Sequence, residues 1–287
     1  MGFLDPHILA SKILEWVRED APFGDITTEL LVPEGRSVEA VIIAKSSGVV
    51  ACVSDVARAL KILGLEAAPL VGDGEEVRRG TAVMKLGGDA RSILLFERTI
   101  LNILMLLAGI ATKTRKIVDI VRSVNPRVRV AATRKVVPGL RALVKKAVAL
   151  GGGDTHRFSL SDAILIKDNH IAIVGDVEKA VRLAKSRASF AHKVEVEVTE
   201  PSDAVRAARA GADIVMLDNM SPSKVAEALE LLKREGLRDR VVVEVSGGID
   251  EDNVAAYAKL DPDVISTSVI TMKPERVDMS LEIERLL

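Results

Sequence analysis

The sequence predicts an α/β protein: a small N-terminal α+β domain followed by a (β/α) barrel. Beyond residue 126, short apolar runs rich in Val and Ile alternate with amphipathic helical segments, the pattern of parallel strands joined by helical crossovers. Residues 38–86 instead carry strand-like runs separated by turns. No G-x-G-x-x-G follows the first strand of the alternating region, and no G-x-x-x-x-G-K precedes Ser or Thr, which removes the main support for dinucleotide-binding and P-loop folds.

The elements follow in order. Residues 6–18 place Ile8, Ile13, Leu14 and Val17 at helical spacing and predict an amphipathic helix. Residues 21–31 mix turn formers with a Thr pair. VEAVIIAK (38–45), GVVACVS (48–54) and TAVMKL (81–86) read as strands, with a helix over 55–63 and a turn at Gly72-Asp73-Gly74 between the last two. The apolar stretch 91–122 is long enough for one kinked helix or two, with Gly109 as the break. Strand-like runs follow at 128–133, 163–168, 193–198, 213–218, 241–246 and 263–268, with helices at 140–150, 176–187, 202–210, 223–235 and 252–260 between them. Six such units fit a barrel better than two nucleotide-binding halves. The expected domains are 1–111, 112–270, and a C-terminal segment 271–287 returning to the first.

Composition excludes several functions. A net charge of -1 gives no overall pull toward nucleic acid or anionic membrane, and 2% aromatic residues leave no stacking platform for single strands. Cys52, the one cysteine, excludes an internal disulfide and a cysteine-rich zinc site. The N-terminus has no apolar signal core, and the longest apolar run, 103–111, is too short to span a bilayer. A cytoplasmic protein is expected. The absence of Gln together with 28% charged residues points to a thermophilic source.

Against this neutral background, residues 133–170 gather Arg134, Lys135, Arg141, Lys145, Lys146, His156, Arg157, Lys167 and His170 around a triple glycine. Cations concentrated in one segment fit a small, highly charged anion. Polar residues also fall at the carboxyl ends of the strands, where barrels assemble their active sites: Arg134 and Lys135, Lys167 and Asp168, Glu197, Asp218, Ser246 and Ser268. Any one of them alone is an ordinary solvent-facing strand end. Together they supply cations for an anion and two carboxylates for hydroxyls or a divalent metal. Lys145 and Lys146 are assigned to a solvated helix face, His7 and His192 to the surface, and Asp168, Asn169 and His170 to shaping the loop after the second strand.

The segments TRKVVPGLR, GGGDTHR, LIKDNHI, VEVEVTE, VMLDNM and EVSGGI, with APFGDITTELL and ERTILNILMLLAGIAT upstream, resemble the quinolinate phosphoribosyltransferase family over nearly the whole chain. The resemblance implies a barrel with fewer than eight strands, an N-terminal open-faced sandwich domain, and a homodimer, or a higher oligomer, with shared active sites. It also implies that quinolinate and 5-phosphoribosyl-1-pyrophosphate (PRPP) are joined with Mg2+ to give nicotinate mononucleotide, pyrophosphate and CO2, in NAD biosynthesis. Carried over residue by residue, Arg134, His156 and Arg157 bind quinolinate, Thr133 lies in the same motif, and Lys135 and Lys167 lie near both substrates. Arg98 reaches the neighbouring subunit's site. Glu197 and Asp218 bind ribose hydroxyls, or the metal through water. Ser246-Gly247-Gly248 and Ser266-Thr267-Ser268 cradle the 5-phosphate.

The chain departs from the family pattern at Val136, usually Thr; at Thr155, usually Asn; and at Ser268 and Met272, usually Gly and His. These departures leave room for a relative that uses nicotinate or another acid. The remaining alternatives are a barrel aldolase with Lys167 as Schiff base and a non-catalytic anion-binding protein.

Overall fold

The computed structural model describes residues 4–287 and divides into two compact units. Of the described residues, the first unit comprises 4–115, 137–152 and 273–287, and the second 116–136 and 153–272. The grouping is not linear along the chain. Residues 137–152, which the expected boundaries assign to the barrel, belong to the first unit, together with the C-terminal segment.

In the first unit, α1 (Pro6–Asp20) starts at Asp5, whose carboxylate accepts the His7 N–H, with Pro at the first helical turn. It buries Leu9, Ala10, Ile13 and Val17. A second helix, α2 (Ile26–Leu31), forms where only turns are expected. Asp25 caps it by accepting both the backbone N–H and the hydroxyl of Thr28. β1 (Ser37–Ala44) is central to a four-stranded antiparallel sheet, between β5 (Ala82–Asp89) and β12 (Met279–Leu286), with β3 (Glu66–Pro69) at the far edge. The C-terminal strand thus completes the N-terminal sheet.

The run 48–54 is a strand only over β2 (Gly48–Val49), which pairs with β4 (Glu76–Val77). The chain then turns left-handed at buried Cys52, with φ 61°, into α3 (Val53–Ile62). Uniform burial of Val49 to Val53 explains the apolar run without strand geometry.

α4 (Ala90–Val124) is one continuous helix, without the break expected at Gly109. Gly109 serves close packing instead, because a Cβ there would lie 2.3 Å from the Glu275 carbonyl oxygen. α4 is long and apolar enough to cross a membrane, but 67% of its most apolar stretch is buried inside the protein, as in a core helix.

α5 (Arg141–Leu150) corrects the expected solvated lysine face. Lys145 is fully buried, and the Lys146 ammonium pairs with Asp55 and, at 3.7 Å, with Asp73. Removing the cation would leave buried Asp55 with only the half-exposed Arg58 guanidinium, at 2.7 Å, as its cationic partner. We therefore predict that Lys146→Met lowers stability by about 3 kcal/mol, read as a shifted urea midpoint.

The second unit is a six-stranded parallel sheet in the order β6-β11-β10-β9-β8-β7. The strands are β6 (Arg129–Ala131), β7 (Ile164–Ile166), β8 (Val194–Val198), β9 (Ile214–Asp218), β10 (Val242–Ser246) and β11 (Val264–Ser266). Between them run α6 (Asp168–Val174), α7 (Val177–Arg187), α8 (Pro201–Arg209), α9 (Pro222–Arg234), a 3₁₀ turn at Arg238–Arg240, and α10 (Val254–Ala258); α11 (Val269–Met272) follows β11. α6 replaces the loop expected at Asp168–His170, and its capping box has His170 Nδ1 accepting the Lys167 N–H.

The sheet is strongly concave. Strands β8 and β10 flank β9 and would be roughly 9.6 Å apart in a flat sheet, yet Glu195 on one and Glu244 on the other reach the same imidazole. The two sheet edges are bridged by the segment after Gly153. Asp154 pairs in parallel with Ala131 of β6, and Arg157 Nη1 donates to the Ala163 carbonyl before β7 at 3.0 Å.

Candidate active site

Strand register decides which side chains meet. Ile166 lies opposite Val196, so the next inward pair is Lys167 and Glu197, and Lys167 Nζ lies 2.5 Å from Glu197 Oε1. Glu195 and Glu197 share the inward face, two residues apart, as do Glu244 and Ser246. Ser246 lies opposite Asp218 on one side and Ser266 on the other. The carboxyl ends of five adjacent strands thereby carry Lys167, Glu197, Asp218, Ser246 and Ser266 side by side.

The cations sit at the bridged gap. Arg134 follows β6, and its Nε is buried without a protein partner. Burial first, and then the charge of Arg134, hold the Arg157 pKa below its ordinary value. Two guanidiniums close enough to repel each other, one with an unused donor, fit a bound anion better than mutual packing. Thr133 Oγ1 accepts the Lys135 N–H at 3.1 Å, and the Lys135 carbonyl accepts the Thr271 hydroxyl at 2.7 Å, while the Lys135 side chain is exposed.

The turn after β10 requires glycine. Gly247 and Gly248 have φ of 95° and 62°, and a Cβ on Gly247 would lie 2.4 Å from Asn219 Oδ1. Asn219, itself left-handed at φ 53°, donates its N–H to the Ser246 carbonyl and its amide to Asp218 Oδ2. Asn253 holds the Gly248 carbonyl, and Thr267 Oγ1 donates to the Ile249 carbonyl at 2.6 Å. The two expected phosphate loops are thus tied together, and the Ser266 hydroxyl is buried and unpartnered between them.

His156 departs from the simple picture of a substrate contact. Its Nε2 lies 3.1 Å from Glu244 Oε2 and 3.5 Å from Glu195 Oε1, and its Nδ1 accepts the Arg157 N–H at 2.7 Å. Burial lowers the ring's pKa, but the two carboxylates outweigh it and push it up to about 10. A second ring proton is nonetheless opposed by the Arg157 N–H, which needs a lone pair at Nδ1. The hydrogen-bond geometry decides in favour of the Nε2–H tautomer. Burial first, and among the remaining raising influences the charge of Glu244, hold the Glu195 pKa above its ordinary value against the lowering effect of His156.

These three residues have metal-ligand spacing. With Nδ1 accepting the Arg157 N–H, metal ligation through Nε2 would call for an imidazolate, which makes the cluster a poor fit for a metal. Glu197 and Asp218 fit better the way Mg2+ is held, by one or two carboxylates together with water and substrate phosphates. Arg98 lies in the first unit on α4, with its side chain 60% exposed and 3.8 Å from neighbouring Glu97.

Sequence reasoning did not single out Glu195, Glu244 or Asn219. The two glutamates had a signal: each interrupts an apolar strand on the face that carries the strand-end site residue. Asn219 had none beyond its tolerance of left-handed backbone.

A concave parallel sheet with arginines, a lysine, carboxylates and glycine turns at one rim defines a β/α-barrel enzyme for small polyanions. Residues 110–282 match the family model for the quinolinate phosphoribosyl transferase C-terminal domain, and residues 25–108 that for its N-terminal domain. The chain belongs to this family. A relative in Methanothermobacter thermautotrophicus, a probable nicotinate-nucleotide pyrophosphorylase (carboxylating), is 51% identical over 274 residues, covering 96% of this chain and 98% of its own. The human nicotinate-nucleotide pyrophosphorylase (carboxylating) is 36% identical, covering 98% and 93%. The solved structure of the Francisella tularensis nicotinate-nucleotide pyrophosphorylase superposes with a TM-score of 0.88 at 37% identity, covering 98% of each chain.

Gly247→Ala should displace Asn219 and, through it, Asp218. Calorimetry is expected to show at least a tenfold weaker affinity for inorganic pyrophosphate, with the far-ultraviolet circular dichroism unchanged.

Proposed function

We propose that this enzyme transfers the phosphoribosyl group of PRPP to quinolinate and releases pyrophosphate and CO2, forming nicotinate mononucleotide. The observation that carries the reading is the Arg134–Arg157 pair, two mutually repelling guanidiniums, one with a buried unused donor, that suit a planar dicarboxylate, with Glu197 interacting with both Arg157 and Lys167. Arg134 and Arg157 hold the ring carboxylates with paired N–H donors, and Lys135 and Lys167 supply point charges. His156 supports this site as a member of the family's motif, and Thr133 fixes the Lys135 backbone.

The ring nitrogen is thereby aimed at the anomeric carbon. As the glycosidic bond forms and pyrophosphate leaves, the sugar gains oxocarbenium character. Glu197 and Asp218 face the ribose hydroxyls, and Lys167, paired with Glu197, stays oriented toward the departing charge. Mg2+, when bound near these carboxylates, neutralises pyrophosphate. The backbone N–H groups of residues 246–248 and 266–268 hold the 5-phosphate. The new ring cation then accepts the electrons released as CO2 leaves the adjacent carbon, and a proton replaces the carboxyl. Rate enhancement comes from positioning and electrostatics, without a covalent nucleophile. Lys167, bonded to a carboxylate rather than set in an apolar pocket, argues against Schiff-base chemistry.

We further propose that the enzyme works in the cytoplasm as a homodimer, each subunit supplying Arg98 to the other's site. Exposed Phe23, Ile26, Leu30 and Leu31 on and beside α2 give the first unit an apolar surface for such contact.

Purified protein with PRPP, Mg2+ and quinolinate should release CO2 and pyrophosphate in equal amounts, and nicotinate should give no product. Turnover of nicotinate alone would reassign the acceptor. Arg134→Ala and Lys167→Ala should each lower kcat/KM by roughly a hundredfold or more with the fold intact. Arg98→Ala and Lys167→Ala proteins, inactive apart, should regain about a quarter of wild-type activity when unfolded, mixed equally and refolded, as random pairing into dimers with one intact site requires.

A further inference from the structure

We propose that Glu195 and Glu244 are positioning residues for acceptor binding, clamping His156 from inside the barrel so that His156 sets Arg157 at the gap between β6 and β7. The inference rests on the functional reading above and extends it to two groups that touch no substrate.

Both carboxylates are buried on the inward face of the sheet, their side chains 1% and 2% exposed. The ring's hydrogen bond goes to Glu244 Oε2 at 3.1 Å, while Glu195 Oε1, 3.5 Å from the same nitrogen, is buried without a hydrogen-bond partner, as is Glu244 Oε1, so Glu195 acts on the ring through its charge. Burying two such groups is costly, and hydrophobic residues of the same volume would usually fill a barrel interior at lower cost. What they hold is an unusual turn. His156 sits at φ 52°, its N–H donates to Asp154 Oδ1 at 2.8 Å, and its Nδ1 accepts the Arg157 N–H. A non-glycine residue in this region persists only when its surroundings fix it. Both ring nitrogens are therefore committed to structure, one to the carboxylates and one to the Arg157 backbone.

On the other side of Arg157 the chain is held by Asp162, which accepts the Phe158 and Ser159 N–H groups, so the His156 ring is the restraint on the Arg157 N–H itself. Arg157 Nη1 bonds the Ala163 carbonyl, leaving the rest of the guanidinium beside Arg134. If the imidazole shifts, Arg157 moves with its backbone. A misplacement of about 1 Å at a bidentate carboxylate site is enough to cost one to two orders of magnitude in affinity.

The test uses the full-length enzyme with Glu244→Leu, which keeps volume and removes the acceptor, and Glu244→Gln, which keeps an acceptor. Glu244→Leu is expected to raise KM for quinolinate roughly tenfold or more while kcat and KM for PRPP stay within about twofold. Glu244→Gln should restore most of the loss. In a His156→Gln background Glu244→Leu should add nothing, because the carboxylate acts through the ring. Amide hydrogen exchange at residues 154–157 should quicken in Glu244→Leu and in Glu195→Leu.

An unchanged quinolinate KM in both leucine variants would overturn the proposal, as would an additive loss in the His156→Gln background. So would a divalent ion retained by the dialysed wild type and lost in the variants. A wild type that does not consume quinolinate would sink the functional reading instead. In that case hydrogen exchange alone still decides whether the clamp exists: unchanged protection at 154–157 would refute it.

Discussion

Everything at the candidate site depends on how the six-stranded sheet deals with its own edges. Six parallel strands curl far enough to bring β6 and β7 near one another, but the sheet does not complete its ring by strand pairing. Unpaired edge groups must find partners. Here they find them in a few residues, Asp154 to Arg157, which pair with β6 on one side and donate to the chain before β7 on the other. The gap is where a side chain can enter the interior from the edge. His156 does so, and this places Arg157 at the rim beside Arg134.

The charges follow from that closure. The interior holds Glu195 and Glu244, with Glu197 above them on the same strand face as Glu195. The rim answers with Arg134, Arg157 and Lys167. Among the described residues, Lys167 is the one of these three with a carboxylate ion pair, to Glu197, while Arg157 feels Glu195, Glu197 and Asp162 at longer range. The guanidiniums repel one another and sit above buried carboxylates that hold an imidazole rather than pairing with the arginines directly. Such a rim is electrostatically incomplete alone, and under the proposed function a dianion with two carboxylates on adjacent ring positions would complete it.

Much of this was legible in the sequence. Period-two strands with polar terminal residues gave all six barrel strands and placed Lys167, Glu197, Asp218 and Ser246 at one rim, because the register of parallel strands carries that information directly. What was not legible depended on contacts distant in sequence. Lys146 looked like half of a solvated pair, yet its partners are Asp55 and Asp73, far upstream. Gly109 looked like a helix break but marks the approach of the Glu275 backbone. α2 was missed because its six residues include Ile and two Thr and bury only Thr28, so the Asp25 cap rather than periodicity defines it. His156 was singled out by motif, but its position beside two glutamates on other strands could not be read from one segment.

The departures from the family pattern are also better understood in three dimensions than along the chain. Val136 and Met272 seem unrelated in sequence, yet the residues before them, Lys135 and Thr271, share a hydrogen bond from the Thr271 hydroxyl to the Lys135 carbonyl. Ser268 lies on the same short connection, its carbonyl accepting the Thr271 and Met272 N–H groups. Relative to the family pattern, position 136 loses a hydroxyl and position 268 gains one, on two loops joined by a single bond. Met272, 55% exposed on α11, replaces an imidazole at the outer end of that connection, away from the buried Ser266 hydroxyl. Thr155 stands apart, next to His156 in the segment that closes the sheet. The departures therefore fall in the loops that frame the donor and acceptor ends of the rim, and none replaces Arg134, Arg157, Lys167, Glu197 or Asp218. Under the proposed function, a change confined to the frame would adjust how tightly the loops hold their ligands, while the rim charges assigned to a dicarboxylate acid and a phosphorylated sugar stay where the fold put them.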